Sequence, residues 1–125
     1  MIAYSPSYDP PAPLLSATVT NTHNRRLRQT LSLLLDTGSD ITAIPEEIIE
    51  HLKLYPIRRL QFEDLHANTS IVFTYKVQLV IADLVIPQIE VVPTRLELGV
   101  LGRDVLNRFN LHLYGPRLAF ELSAA

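Results

Sequence analysis

Asp36 is the residue of this chain best placed to do chemistry. It closes the apolar run Leu31-Ser32-Leu33-Leu34-Leu35 and is followed by Thr37-Gly38-Ser39-Asp40, after which apolar residues resume at Ile41. A short apolar run bounded by turn residues is the pattern of a buried strand. A carboxylate at the end of such a strand is costly, because an unpaired buried acid loses several kcal/mol or gives up its charge. The residues after it are suited to receive it: Thr37 and Ser39 bring hydroxyls, and Gly38 allows a tight turn with close backbone approach. On these four residues alone an ordinary Asx or Ser/Thr turn capping a strand is the favoured account.

A second stretch lies far downstream, Gly99-Val100-Leu101-Gly102-Arg103-Asp104-Val105-Leu106-Asn107. Asp36-Thr37-Gly38-Ser39 with leucines before it resembles the active-site signature of aspartic proteases. The downstream stretch resembles the apolar-apolar-Gly-Arg-Asp/Asn segment of retroviral-type, single-lobe enzymes, the retropepsins. Both motifs, in this order and in so short a chain, make the resemblance specific, and it covers roughly residues 14–122.

The resemblance implies hydrolysis of peptide bonds through a pair of carboxylates sharing one proton, with one acting as base to a water and the other polarising the scissile carbonyl. The chain has one Asp-Thr-Gly, and two-lobe enzymes need about twice its length. A C2 homodimer is therefore expected, with Asp36 of each subunit meeting across the axis. The resemblance further implies that Thr37 reaches across to the partner's loop and that the Gly38 amide supports the catalytic carboxylate. Ser39 could hydrogen-bond an outer oxygen of Asp36. Arg103 is expected to pair with Asp40, the acid after the signature, holding the Gly102-Arg103-Asp104 segment beneath the active-site loop; Asp40 could also touch substrate backbone. Leu34, Ala43, Leu98 and Val100 fall at or near positions that line substrate subsites in the family, with core packing as the plain alternative. If they line the cleft, apolar side chains beside the scissile bond are preferred. No metal or cofactor is implied.

Composition sets the frame for this site. At 125 residues the chain is one domain able to bury a core, and with 47% hydrophobic against 19% charged residues it is globular rather than disordered. Eleven basic against 13 acidic residues leave a formal charge of −2, which gives no electrostatic footprint for nucleic acid. The densest basic patch, Arg25-Arg26-Leu27-Arg28, reads as a solvated hairpin end. The apolar runs are too short to span a bilayer, the start lacks a signal-peptide pattern, and the absence of cysteine fits the cytoplasm. His23, His51, His66 and His112 show no metal-ligand spacing, and Glu63-Asp64 is a lone acidic pair.

The elements that must position the site follow from the pattern. Residues 1–13 carry four prolines and read as a flexible, extended arm ill-suited to pairing: a disordered tail, a propeptide-like segment or a self-cleavage region. The domain proper is 14–125. Strands are expected over 14–20 and 27–35, forming a hairpin that delivers Asp36, and over 41–44. A short helix over 45–52 starts at Pro45, with Glu46 and Glu47 complementing its dipole. Strands over 58–65, 69–81 and 84–92 follow, the last interrupted by Pro87 at an edge or bulge. A buried strand over 96–101, a helix over 103–109 and a hairpin of 111–114 with 117–122 around Gly115-Pro116 complete the chain. Many short strands and one or two short helices indicate a mostly β domain, and the resemblance makes it a small closed β-barrel-like acid-protease fold. The family's flap, a hairpin closing over substrate, falls at 61–75 with its tip at His66, Ala67 and Asn68. No glycine lies between Gly38 and Gly99, so Asn68 is the residue suited to a left-handed tip. That glycine-free flap keeps a rival open, a retropepsin-fold dimerisation or peptide-binding module with little turnover. An unrelated small barrel with an accidental Asp-Thr-Gly is the other.

Overall fold

The computed structural model describes residues 1–63 and 66–124. Asp64 of the acidic pair and the end of the strand expected over 58–65 lie outside the described residues. Strands β2 (Leu14–Asn21) and β3 (Arg28–Leu35) form the first hairpin, pairing Leu14 with Leu34 through to Thr20 with Arg28. Alternation decides their faces: Leu15, Ala17, Val19 and Leu33 are buried, while Ser16 and Ser32 are exposed.

A closed six-stranded ring grows from that hairpin. β3 runs parallel to β8 (Gly99–Leu101), and β8 touches β4 (Ala43–Pro45) at Val100 and Ala43. β4 is parallel to β7 (Leu84–Thr94), β7 is antiparallel to β6 (Thr69–Ile81), and β6 returns to β2. Closure removes the free edges of the ring and surrounds a core in which Val19, Leu33, Leu79, Leu101 and Phe120 are fully buried. Among the described residues the domain is mostly β with two short α-helices, α1 (Glu46–His51) and α2 (Arg103–Leu106).

β5 (Pro56–Glu63) stands outside the ring and, among the described residues, pairs only with the first half of β6, from Thr69 to Tyr75. The second half of β6, from Val77 to Val80, is barrel wall. One strand therefore carries both a barrel stave and a projecting hairpin. Register slips where β7 faces β6: Val77 opposes Ile89 and Leu79 opposes Ile86, so β7 has one residue more in the interval. That bulge contains Pro87, which has no N–H to give the ladder, as its position in the sequence suggests.

Four local expectations are corrected. The proline-rich start does pair: β1 (Ile2–Ala3) is antiparallel to β10 (Ala119–Ala124), which pairs on its other side with β9 (Phe109–Tyr114). Its prolines lie beyond the two paired residues, and Tyr4 N donates to Leu118 O at 2.7 Å. α2 ends at Leu106 rather than at Phe109, because Phe109 is drawn into β9 opposite Ala124. Of the strand expected over 96–101 only Gly99–Leu101 forms, since Leu96 is turned to solvent with its N–H on the Thr94 hydroxyl. Pro45 closes β4 and caps α1 from outside, with ψ of 137°, instead of being its first residue.

Two glycines are required by close approach. A Cβ on Gly99 would meet Leu33 Cδ2 at 2.5 Å and Ala43 O at 3.0 Å, where β8 threads between β3 and β4. The three atoms nearest to a Cβ on Gly102 would all be backbone: Ile41 C at 2.8 Å, Ile41 O at 2.9 Å and Ser39 O at 3.0 Å. Backbone cannot swing aside as a side chain does. Gly102→Ala is expected to destabilise by about 1–3 kcal/mol, read as a lower denaturation midpoint at unchanged slope.

Candidate active site

β3 ends by handing Asp36 to the barrel end, where Asp36 N donates to Leu101 O of β8 at 3.1 Å. The chain then turns tightly. Ser39 N reaches back to Asp36 O at 3.2 Å, and Gly38 N donates to Asp36 Oδ1 at 2.9 Å. A backbone amide thus fixes the orientation of the carboxylate, which is half-buried, while Thr37 and Gly38 are exposed at the tip of the turn.

The turn is tied to the segment opening α2 by five hydrogen bonds. Arg103 N donates to Ser39 O at 2.8 Å, and the Arg103 guanidinium Nη1 donates to Thr37 O at 2.8 Å. Thr42 is buried, and both its N–H (3.1 Å) and its hydroxyl (2.8 Å) donate to the Asp104 carboxylate. The same hydroxyl accepts from Gly102 N at 3.1 Å. A charged acceptor strengthens such bonds, and burial makes their loss expensive.

The structure therefore brings together Asp36, Thr37, Gly38, Ser39, Asp40, Gly102, Arg103 and Asp104. Two of the expected contacts are different. Ser39 Oγ donates to Ile41 O at 2.8 Å and not to Asp36, because the serine points into its own turn. Asp40 and Arg103 do not pair: the ion pairs among the described residues are Arg58–Glu90 and Arg95–Glu46. The Arg103 guanidinium is taken by the Thr37 carbonyl, and Asp104 with Thr42 supplies the link expected of Asp40.

A cleft of about 810 Å³ opens between the turn and the projecting hairpin. Asp36, Gly38, Ser39, Asp40 and Asp104 form one side; Leu60, Gln61, Phe62 and Glu63 of β5 form the other, with Ile89 and Glu90 of β7 between them. Asp40, which could touch substrate backbone, lines this cleft, whereas Leu34, Ala43, His66, Ala67, Asn68, Leu98 and Val100 are not among the described residues lining it. Leu34, Val100 and Ala43 are half-buried in one cross-strand row over β3, β8 and β4. Leu98 borders a separate, smaller groove with Ser5, Tyr8 and Leu14. His66, Ala67 and Asn68 are exposed at the hairpin tip, where Ala67, and not Asn68, is the left-handed residue, with φ of 60°. The projecting hairpin falls where the flap over 61–75 is expected, but the lining role of Leu60 and Phe62 is not foreseen. Its signal was present in the alternation Leu60-Gln61-Phe62-Glu63, which turns two apolar side chains to one face.

At the root of the hairpin Arg58 of β5 grips Glu90 of β7, with Nη2 on Oε1 at 2.8 Å and Nε on Oε2, and the buried Thr74 hydroxyl of β6 adds a further bond to Oε2. Hydrogen bonds from Arg58, and then from Thr74, hold the Glu90 carboxyl down to about 2, against an ordinary 4.5. A depressed carboxylate stabilises above its unfolded value and loses that contribution as pH falls through the folded one. The stability gap between wild type and Glu90→Gln is expected to be constant above about pH 5 and to shrink toward zero near about pH 2. Thermal midpoints of both proteins across that range check this, and a gap that collapses at about pH 4.5 contradicts it.

Among the described residues no group of three or more His, Asp or Glu is placed to hold a metal ion, and no helix is long and apolar enough to cross a membrane. No protein-family model matches the chain, and a comparison with curated proteins found no match. Solved structures do match. A retropepsin-like aspartic protease from Rickettsia conorii superposes with a TM-score of 0.65 at 18% identity, covering 99% of this chain and 90% of that one. The protease of simian foamy virus (mac) gives 0.57 at 18% identity, covering 76% and 92%. EIAV protease, solved with the inhibitor HBY-793, gives 0.57 at 21% identity, covering 77% and 86%. The fold is that of the retropepsin-like aspartic proteases.

Proposed function

We propose that the chain is a homodimeric aspartic endopeptidase of the retropepsin type, in which Asp36 and the partner subunit's Asp36 form the catalytic pair. The observation that carries this is the Asp36 carboxylate itself. It stands on the wall of a peptide-sized cleft, oriented by the Gly38 amide, on a turn held by the Gly102-Arg103-Asp104 segment. One carboxylate cannot be both base and acid in the same step, so the reaction needs a second copy.

In that dimer the ionised carboxylate takes a proton from water as its oxygen attacks the scissile carbonyl carbon, and the protonated one hydrogen-bonds the carbonyl oxygen. The tetrahedral intermediate collapses as the carboxyl that took the water's proton gives it to the amide nitrogen and the C–N bond breaks. Leu60, Phe62, Ile41 and Ile89 in the cleft support a preference for apolar side chains beside that bond. The test is cleavage of a diverse peptide library between about pH 4 and pH 7.5, with oligomeric state measured on the same samples. Cleavage confined to dimeric fractions is expected. A dimer silent over the whole range overturns the reading in favour of a peptide-binding module, which the glycine-free hairpin with its left-handed Ala67 favours.

A further inference from the structure

The outer face of the barrel carries a second groove, of about 650 Å³, that shares no lining residue with the cleft. Strand register builds it. Arg28 of β3 lies opposite Thr20 of β2, and Thr20 lies opposite Gln78 of β6. One rung along, Thr18 lies opposite Val80, and Val80 opposite Val85 of β7. Directly opposed residues point to the same face of a sheet, so these side chains stand together where β2 and β6 close the ring. Arg25, from the turn before β3, completes the wall.

The groove has a definite chemistry. Arg25 and Arg28 are exposed, and neither belongs to an ion pair among the described residues. No acidic side chain is among the described residues lining it. Two uncompensated guanidiniums on a chain of net charge −2 mark the place where an anion is favoured. Val80 and Val85 supply an apolar floor, and the threonine hydroxyls and the Gln78 amide supply neutral hydrogen-bonding groups.

From this we infer that the groove binds an acidic peptide segment, its carboxylates on the arginines and its alternate apolar side chains on the valines. The planar guanidinium matches a carboxylate in fork geometry. Closure of the ring leaves no free strand edge here, so recognition runs through side chains. Single-stranded nucleic acid is disfavoured because no aromatic ring for bases to stack on is among the described residues lining the groove. An isolated phosphate leaves most of the space unfilled. The inference stands apart from the hydrolytic reading, and a failure of one leaves the other intact.

The test is fluorescence anisotropy of a fluorescein-labelled peptide of alternating glutamate and valine, titrated with the full chain carrying Asp36→Asn so that the probe stays whole. The same background with Arg25→Ala and Arg28→Ala is expected to bind at least about tenfold more weakly, and binding is expected to weaken with added salt. Thermal unfolding of both proteins verifies that the exposed arginines were removed without loss of fold. Equal binding by the two proteins, or no binding by the one with both arginines, overturns the inference. So does a lysine–valine peptide that binds as well, or displacement of the probe at lower concentration by oligothymidylate or inorganic phosphate than by unlabelled acidic peptide.

Discussion

Asp36→Asn is expected to lower peptide cleavage by at least about 10²–10⁴-fold while leaving the fold and the dimer in place, since general acid–base catalysis alone accounts for that range. The substitution is nearly isosteric, and an amide oxygen accepts from Gly38 N as the carboxylate Oδ1 does at 2.9 Å. It cannot share a proton with a second carboxylate. Mixing gives a sharper result than the variant alone. If each active unit needs two Asp36 carboxylates, one from each subunit, equal amounts of wild type and Asp36→Asn subunits, exchanged at random, leave about a quarter of the dimers with both. Activity per wild-type subunit then falls by about half on adding an inactive protein. A chain that acted alone would show no such loss, so unchanged activity in the mixture would refute the shared pair. Asp36→Asn activity equal to wild type would refute the role of Asp36 altogether.

The second large effect concerns Asp104, which makes no use of its charge in the proposed chemistry. Its two oxygens accept from the N–H and the hydroxyl of buried Thr42. Hydrogen bonds to a charged group contribute about 1.5–3 kcal/mol each, so Asp104→Ala is expected to cost roughly 3 kcal/mol or more by chemical denaturation. Thr42→Val should cost less, because it removes the hydroxyl that links Asp104 to Gly102 N while keeping the Thr42 N–H bond. The double variant tells a network from two separate contributions: a loss well short of the sum shows that both side chains act through one shared arrangement. Additive losses would mean that Asp104 steadies the turn by another route.

How far the sequence foretold this arrangement differs element by element. The long strand Thr69–Ile81 was legible end to end, because β-branched and aromatic residues filled it and turn residues bounded it. That Pro87 sits at an edge or a bulge was legible from the missing N–H alone, and the register makes it a bulge. Asp36 at the end of a leucine-rich strand was legible because a carboxylate there demands a special turn. That the Gly102-Arg103-Asp104 segment lies against this turn was legible from the resemblance, but the atoms that fasten it were not. Thr42 read as one more strand residue, and only the fold shows that it is buried against an acid 62 positions away. Arg103 was expected on a carboxylate and is found on a carbonyl, a choice set by the path of the turn rather than by charge. Ala67 takes a positive φ that its type disfavours, so propensity pointed to its neighbour. The pairing of Ile2 and Ala3 with β10 joins the two ends of the chain, and no local pattern announces so distant a partner.

The ties around Asp36 span 60, 62 and 66 positions, from Gly102 to Thr42, Asp104 to Thr42 and Arg103 to Thr37. During synthesis, therefore, the turn bearing the carboxylate leaves the ribosome long before the residues that fasten it. Contacts of such separation form late, and they are slow to form because the intervening chain must first be brought together. A nascent chain displays Asp-Thr-Gly-Ser without its anchor, and under the proposed dimeric function it also awaits a second copy. On that reading, order of assembly by itself would delay hydrolysis until the anchoring segment Gly102-Arg103-Asp104 has been made and folded.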